Sequence, residues 1–342
     1  MKSKEYSSSL SYLRLFATIM IVASHTWSTL QENKELFSLT VTESTFLEIA
    51  YSLTKWAVPV FFMITGALLL KKDKKISVRD CICKYSKRMM LALVIFGIPY
   101  AFLKIYSDNK QFTLSIIPKS IIDVISGNNI GHLWYLYTLI GLYLFLPLIK
   151  LFVNNATKRE FRYILILIFI FNYCFPLIYS ITGFDIGIKV PFITYPLFYM
   201  LMGYYIYNEK PWWQDKTWMV VLGVVISAII IIVSGIMGLP LATIMAYHSP
   251  VAALFALSIF MAFQRIEKTS TEMLWVLDRL CFGVYLIHPL FIQFCYRFLN
   301  IVPTGNSLYP ILSMIFAAVF IVISFIASWI MSLIKPLKKY VL

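Results

Sequence analysis

The sequence predicts an all-α, polytopic integral membrane protein with about ten transmembrane helices and both termini in the cytoplasm. Of its 342 residues, 60% are hydrophobic and only 13% are charged, whereas soluble domains carry about 45–50% apolar and about 25% charged residues. So few charges cannot cover a water-soluble globule of this length, which excludes soluble enzymes and disordered chains. At about 20 residues per span, the chain has room for roughly 10 to 12 helices joined by short loops.

Ten apolar stretches set this architecture, and we expect them to form one transmembrane domain over residues 1–342. They cover residues 10–30, 46–70, 88–105, 131–150, 163–182, 190–208, 217–238, 241–264, 280–300 and 309–333. The run from Thr217 to Gln264 has 48 residues without a formal charge. As one helix it would extend roughly 72 Å, more than twice the bilayer core of about 30 Å. It therefore forms two spans, and Gly238-Leu239-Pro240 supplies the break.

Basic residues fix the orientation of these spans. With the amino terminus inside, 23 of the 30 Lys and Arg residues fall on the cytoplasmic side and 7 fall outside. Eight of them lie in the loop Lys71–Arg88. Cytoplasmic loops of membrane proteins are enriched in Lys and Arg and face anionic lipid. The net charge of +14 is thereby explained without nucleic acid, and we predict a multi-pass protein of the cytoplasmic membrane in contact with its lipids.

The five cysteines and the longest loop are less informative. The cysteine count is odd and the spacings fit no zinc pattern, so we predict no structural disulfide and no metal site. The longest loop covers residues 106–130 on the outside. It is either an inert connector or part of a lid or acceptor site.

The first helix carries two ionisable residues, Arg14 and His25, which are costly inside a membrane. They are eleven residues apart, which places them on nearly the same helix face and roughly 16.5 Å apart along the axis. An arginine at the cytoplasmic mouth and an imidazole deep inside suit a long ligand with a phosphorylated head and a reactive tail, as in coenzyme A. The alternatives are a snorkelling arginine and a histidine that bonds a neighbouring helix.

Further basic residues occur in the second span and after it. Lys55 lies in the second span, near the expected depth of His25, and needs an anion or water. Glu48, seven residues earlier, is a candidate partner. Lys84, Lys87 and Arg88 either form a cytoplasmic phosphate site or serve only as an orientation signal.

Aromatic and histidine residues mark two later regions. His132, Trp134 and Tyr135 lie at an outer boundary, where they form either an aromatic belt or a surface that stacks on sugar rings. His288 follows Tyr285 by about one helical turn and precedes a proline, which frees backbone groups for other contacts.

Four short motifs, in order along nearly the whole chain, resemble the membrane-bound acyltransferase family 3. The family carries an arginine, a small residue and a histidine in its first helix, V-P-x-F-F-x-x-[ST]-G in its second, H-L-W-[FY] in its fourth-helix region and G-x-Y-L-I-H in a late helix. The matching residues here are Arg14, Ala17 and His25, then residues 58–66, 132–135 and 283–288.

The resemblance implies a cell-envelope O-acetyltransferase without a fused extracytoplasmic domain. Such an enzyme moves an acetyl group from acetyl-coenzyme A, as co-substrate, to a hydroxyl of an envelope polysaccharide or lipid-linked sugar, in some cases with partner glycan-assembly proteins. His25 would be the catalytic base. Contacts to coenzyme A would come from Arg14, Lys87 and Arg88, and contacts to substrate or oxyanion from Lys55, Thr65, His132, Trp134, Tyr135, Tyr285 and His288. A transporter or flippase of an amino acid or lipid-linked glycan is the alternative.

Overall fold

The structure is a computed structural model. It describes residues 8–109, 113–127, 131–188, 190, 193–266 and 271–342. Five lysines that enter the orientation count lie outside the described residues: Lys2, Lys4, Lys110, Lys189 and Lys268.

Helices account for most of the described chain, and no β-strand occurs among these residues. The first nine α-helices are α1 (Ser8–Glu32), α2 (Val41–Ser52), α3 (Ala57–Leu69), α4 (Val78–Asp80), α5 (Lys87–Ala92), α6 (Ile98–Asn109), α7 (Ile116–Ser126), α8 (Trp134–Asn155) and α9 (Lys158–Phe169). The others are α10 (Phe175–Thr182), α11 (Tyr195–Tyr204), α12 (Thr217–Ile236), α13 (Leu241–Ile244), α14 (Pro250–Gln264), α15 (Glu272–Gln293), α16 (Tyr309–Leu333) and α17 (Lys335–Tyr340). Short π-helical segments continue several of them, at Cys81–Ser86, Leu93–Gly97, Ile170–Cys174, Tyr205–Glu209 and Phe294–Phe298.

Seven helical segments of the described chain are long and apolar enough to cross a membrane. They are Val41–Leu69, Val78–Tyr106, Ile116–Asn155, Lys158–Thr182, Thr217–Ile236, Glu272–Phe298 and Tyr309–Leu333. The all-helical membrane architecture is therefore confirmed. The count of ten spans and the cytoplasmic location of both termini stay predictions.

Two compact units divide the chain. The first contains residues 1–71 and 156–326, and the second contains residues 72–155 and 327–342. The single transmembrane domain stays a prediction.

Helix α1 is an interior element of the first unit. It packs against α2, α3, α14 and α15, and 14 of its 25 residues are buried. A helix surrounded by protein can carry polar side chains that lipid would reject, which explains why α1 is rich in Ser and Thr yet remains helical. Its apolar side packs into a core cluster with α2, α15 and α16 that includes Val22, Leu47, Val284 and Phe320.

Helices α3 and α11 pack closely against each other in the first unit. A side-chain carbon at Gly66 would overlap the backbone carbonyl of Met200, and one at Gly203 would overlap that of Met63. Glycines permit such contact because they have no Cβ. Gly66 therefore permits the close packing of α3 on α11.

Two predicted continuous spans are interrupted. The second span is broken by a turn at residues 53–56, which separates α2 from α3. The predicted span 241–264 consists of the short α13, a non-helical stretch and the 15-residue α14. The break at Gly238-Leu239-Pro240 is confirmed, since α12 ends at Ile236 and Gly238 has a left-handed φ of 68°.

The second unit is built around α8, which packs on α5 and on the π-helical segment Cys81–Ser86. The predicted outer loop at residues 106–130 was wrong in part, because it contains α7, which packs on α6. Ile116, Ser120 and Val124 recur every four residues and form the buried face of α7. Residues 110–112 and 128–130 of that loop lie outside the described part of the chain.

Candidate functional site

The candidate site lies along the contact between α1 and α15, within the first unit. Arg14 pairs with Asp278 near the start of each helix, and the His25 ring lies against the His288 ring further along. From the ion pair to the histidine pair, the residue numbers increase along both helices, so the two helices run parallel. A rise of about 1.5 Å per residue separates the two contacts by roughly 15 Å along the helix axes.

The spacing of polar residues on α15 explains why they share one face. Asp278, Cys281, Tyr285 and His288 follow each other at intervals of three, four and three residues. This spacing keeps side chains on the contact face of two helices that pack with about 3.5 residues per turn. Asp278, Cys281 and His288 are buried. We name this contact the α1–α15 seam, and it is formed by Ser11, Arg14, Thr18 and His25 of α1 with those four residues of α15.

An ion pair forms the amino-terminal end of the seam. Nη1 of Arg14 donates to Oδ1 of Asp278 at 2.7 Å and to Oδ2 at 2.8 Å. The Ser11 hydroxyl donates to Oδ2 at 3.3 Å. The Asp278 side chain is 1% exposed and that of Arg14 is 27% exposed, so the carboxylate is enclosed while the guanidinium still reaches the edge of the protein. A carboxylate at this depth needs such compensation.

Two histidine rings form the other end of the seam. The centroids of His25 and His288 lie 5.1 Å apart, with their planes inclined at 45°. His288 is fully buried, and its Nδ1 lies 3.0 Å from the carbonyl oxygen of Val284. The Tyr285 ring centroid lies 6.4 Å from that of His288. The structure therefore brings together three sequence-predicted residues, His25, His288 and Tyr285.

Small side chains with polar groups lie between the two ends. The Thr18 hydroxyl donates to the carbonyl of Arg14 at 2.8 Å, and the Cys281 thiol donates to the carbonyl of Leu277 at 3.4 Å. Both side chains bond their own helix, so they fill the seam without a charge.

Lys55 occupies the turn that interrupts the second span. Its Nζ lies 5.0 Å from the centroid of the Tyr51 ring, and it forms no ion pair with Glu48 within the described residues. The next residue, Trp56, stacks on Phe16, two positions after Arg14, at a centroid distance of 5.4 Å. Glu48 stays a candidate partner of Lys55 at longer range, across the turn.

Thr65, the other candidate from the second motif, has a local role. Its hydroxyl donates to the carbonyl of Phe61 at 2.9 Å. The hydroxyl oxygen can still accept a hydrogen bond while its proton is donated in this way.

Lys87 and Arg88 belong to the second unit, at the start of α5. Nε of Arg88 donates to the carbonyl of Val341 at 2.6 Å, and its Nη2 donates to a main-chain carboxyl oxygen of Leu342. These contacts hold the Arg88 side chain against the last two residues of the sequence.

His132, Trp134 and Tyr135 also belong to the second unit, just before and within the first turn of α8. The His132 ring meets the Tyr100 ring edge-on at a centroid distance of 5.1 Å. The rings of Trp134 and Tyr135 lie 6.3 Å apart at 89°. The aromatic belt and the sugar-stacking surface both stay predictions.

Asp278 is the seam residue that sequence reasoning missed. The predicted span began at residue 280, which assigned Asp278 to the cytoplasmic flank, whereas α15 begins at Glu272. Its position ten residues before His288, in step with Cys281 and Tyr285, is the signal that identifies it. In the described chain, no group of three or more His, Cys, Asp or Glu side chains is arranged to hold a metal ion.

Comparison with known proteins identifies the family. The sequence matches the family described as an acyltransferase domain, acyltransferase family 3, over residues 7–333. No curated protein and no solved structure matches the chain. The match covers nearly the whole chain and includes both helices of the seam. The chain therefore belongs to acyltransferase family 3.

Proposed function

We propose that this protein is a membrane-bound O-acyltransferase. The proposed acyl group is acetyl, which moves from acetyl-coenzyme A to a hydroxyl of an envelope polysaccharide or lipid-linked sugar. Family membership supports acyl transfer. The observation that carries the proposal is the α1–α15 seam. Its Arg14–Asp278 pair and its His25–His288 pair provide a cation and a base on one pair of parallel helices.

In the proposed step, His25 acts as a general base. A neutral imidazole nitrogen takes the proton of the acceptor hydroxyl as the hydroxyl oxygen attacks the thioester carbonyl. The tetrahedral intermediate then breaks its carbon–sulfur bond, and His25 returns the proton to the departing sulfur. General-base assistance of this kind contributes about 10²–10⁴-fold in rate. Tyr285, next to His288, is the proposed donor to the oxyanion.

Arg14 is the proposed contact for coenzyme A, the carrier of the acyl group. Asp278 engages Nη1, and within the described residues Nε and Nη2 make no hydrogen bond. A phosphate oxygen of coenzyme A can bind these remaining donors, because an arginine fork serves more than one acceptor. Lys87 and Arg88 stay proposed phosphate contacts on the basis of the sequence.

The acceptor and the cellular setting follow from the family and the sequence. His132, Trp134 and Tyr135 are proposed to stack on the acceptor sugar, and Lys55 and Thr65 stay candidate substrate contacts. We place the protein in the cytoplasmic membrane as a multi-pass protein with both termini inside. Membrane lipids and glycan-assembly proteins are its proposed partners.

The test follows acetyl label from acetyl-coenzyme A into envelope lipid extract, with purified protein in lipid vesicles. The variants are His25→Ala and, as a matched control, His248→Ala, which removes a histidine outside the seam. We expect transfer by the wild type and the control, and loss of transfer by His25→Ala. Absence of both transfer and coenzyme A binding in well-folded wild type contradicts the proposal.

Transport is the second candidate function, and the turn between α2 and α3 favours it. Broken membrane helices with a buried charge, here Lys55, are typical of substrate sites in transporters. Flux of an amino acid or lipid-linked sugar into vesicles without acetyl-coenzyme A supports transport. Label transfer that requires the thioester supports the enzyme.

A further inference from the structure

We propose that α7 is a re-entrant helix, which enters the bilayer from the side opposite the Lys71–Arg88 loop and binds the acyl chains of that leaflet along a face of isoleucines. From the sequence, this part of the loop at residues 106–130 is either an inert connector or part of a lid or acceptor site. The proposal concerns the second unit alone, and it does not depend on the proposed acyl transfer. It is carried by the packing of α7 on α6, by the depth of that contact and by the side chains that α7 leaves exposed.

Helix α7 runs back along α6. A short connection joins the end of α6 at Asn109 to the start of α7 at Ile116, and the two helices pack together. At the other end of the pair, a side-chain carbon built at Gly97 would lie 3.4 Å from Cγ2 of Val124. Gly97 immediately precedes α6 and Val124 lies near the end of α7. The two helices are therefore antiparallel, and α7 returns to the level at which α6 begins.

The position of Gly97 gives the depth that α7 reaches. The run of 15 residues between Arg88 and Lys104 contains no Asp, Glu, Lys or Arg, and Gly97 lies close to its middle. These residues rise roughly 22 Å, which is less than the hydrocarbon core of about 30 Å. The whole run therefore fits within hydrocarbon. Val124 lies with Gly97 at a level roughly 10 Å below Lys104.

Three sectors of α7 carry different side chains. The first sector is buried in the protein and consists of Ile116, Ser120 and Val124. At about 100° per residue, the next sector consists of isoleucines that are exposed by 48%, 40%, 62% and 79%: Ile117, Ile121, Ile122 and Ile125. We name this sector the isoleucine face. The third sector, between the other two, is polar and consists of Lys119, Asp123 and Ser126.

The carboxyl-terminal end of α7 is built to lie inside a membrane. The last carbonyls of a helix have no partner within the helix, and such groups are costly in hydrocarbon. Here Gly127, with a left-handed φ of 71°, donates its N–H to the carbonyls of Asp123 and Val124. The Tyr137 hydroxyl of α8 also donates to the carbonyl of Val124. The Ser126 hydroxyl bonds its own helix, at the carbonyl of Ile122, at 2.8 Å.

Acyl chains are the occupant that fits the isoleucine face. Ile121, Ile122 and Ile125 lie within one helical turn of Val124, so they share its depth, where hydrocarbon surrounds a membrane protein. Exposed isoleucine costs free energy in water but not among acyl chains. Lys119 lies about 7.5 Å closer to the bilayer surface than Val124. Its long side chain can extend from there to the headgroups and water.

The test places a nitroxide label at Ile125→Cys or at Lys119→Cys in the full chain in lipid vesicles. It measures collisions of the label with oxygen, which concentrates in the bilayer, and with a water-soluble nickel chelate. The reference positions are Val322→Cys, on an exposed part of the apolar α16, and Asp185→Cys, at an exposed position outside the helices. Three cysteines that are not buried are first replaced by Ser: Cys83, Cys174 and Cys295.

We expect the ratio of oxygen to nickel collisions at Ile125 to match that at Val322, and the ratio at Lys119 to be closer to that at Asp185. A ratio at Ile125 equal to that at Asp185 overturns the proposal, because the isoleucine face then lies in water. An immobile label at Ile125 that neither reagent reaches also overturns it, because protein, such as a second copy of the chain, then covers the face.

A second measurement compares two unlabelled variants, Ile125→Asp and Ser126→Asp, which add the same charge to neighbouring positions at the end of α7. A carboxylate among acyl chains is costly, whereas one in the polar sector can remain hydrated. We expect Ile125→Asp to lower the yield of folded protein in the membrane well below that of Ser126→Asp. Equal yields of the two variants overturn the proposal.

Discussion

Asp278→Asn is the substitution that tests the seam most quantitatively. It keeps the shape of the side chain but removes the charge that Arg14 contacts at 2.7 and 2.8 Å. Loss of one partner of a buried ion pair costs about 3–5 kcal/mol. The Arg14 side chain is 27% exposed, so water recovers part of that loss, and we expect the free energy of unfolding to fall by about 2–3 kcal/mol.

The assay is chemical unfolding of the purified protein in mixed micelles, arranged as a double-mutant cycle with Arg14→Gln. Arg14→Gln should destabilise more than Asp278→Asn, since it leaves a carboxylate that is 1% exposed without its cation. The double variant should be more stable than the sum of the single effects predicts, because neither charge then remains uncompensated. Asp185→Asn, at an exposed position, is the control. A coupling energy near zero between Arg14 and Asp278 would refute this reasoning.

Two further predictions concern packing and orientation. Gly66→Ala should lower the melting temperature and the folded yield, since its methyl group meets a backbone carbonyl, whereas Gly141→Ala, with open space at its Cβ, should have no such effect. Equal melting temperatures would contradict the close α3–α11 contact. Cys83, which is exposed, should react with a membrane-impermeant maleimide only from the cytoplasmic side, and the buried Cys281 should not react. Labelling of Cys83 from outside would reverse the predicted orientation.

The first helix shows how much of the site the sequence could predict. Arg14 and His25 cost free energy inside a membrane, which marks them as candidate functional residues. Their spacing of eleven residues places both on one face of a helix. The partners could not be derived in the same way. Which helix lies beside α1 depends on tertiary packing, so Asp278 was missed and His288 was identified without its contact to His25.

Lys55 and the predicted loop at residues 106–130 show what the sequence could not predict. Hydropathy does not distinguish a continuous span from two helices joined by a turn, because the turn residues are equally buried in protein. The interruption at residues 53–56 therefore could not be predicted. In the loop, α7 is a short amphipathic helix whose buried side chains recur every four residues. The residues around it are polar, so the segment was predicted as a loop.

The most direct test of the account measures kcat and KM for acetyl-coenzyme A with His25→Gln and wild type in vesicles that contain envelope lipid extract. His25 lies near one end of the α1–α15 seam and Arg14 near the other, so removal of the base should leave donor binding intact. We predict that kcat falls about 10²–10⁴-fold while the KM for acetyl-coenzyme A stays unchanged. Wild-type turnover by a folded His25→Gln variant would contradict the assignment of His25 as the base.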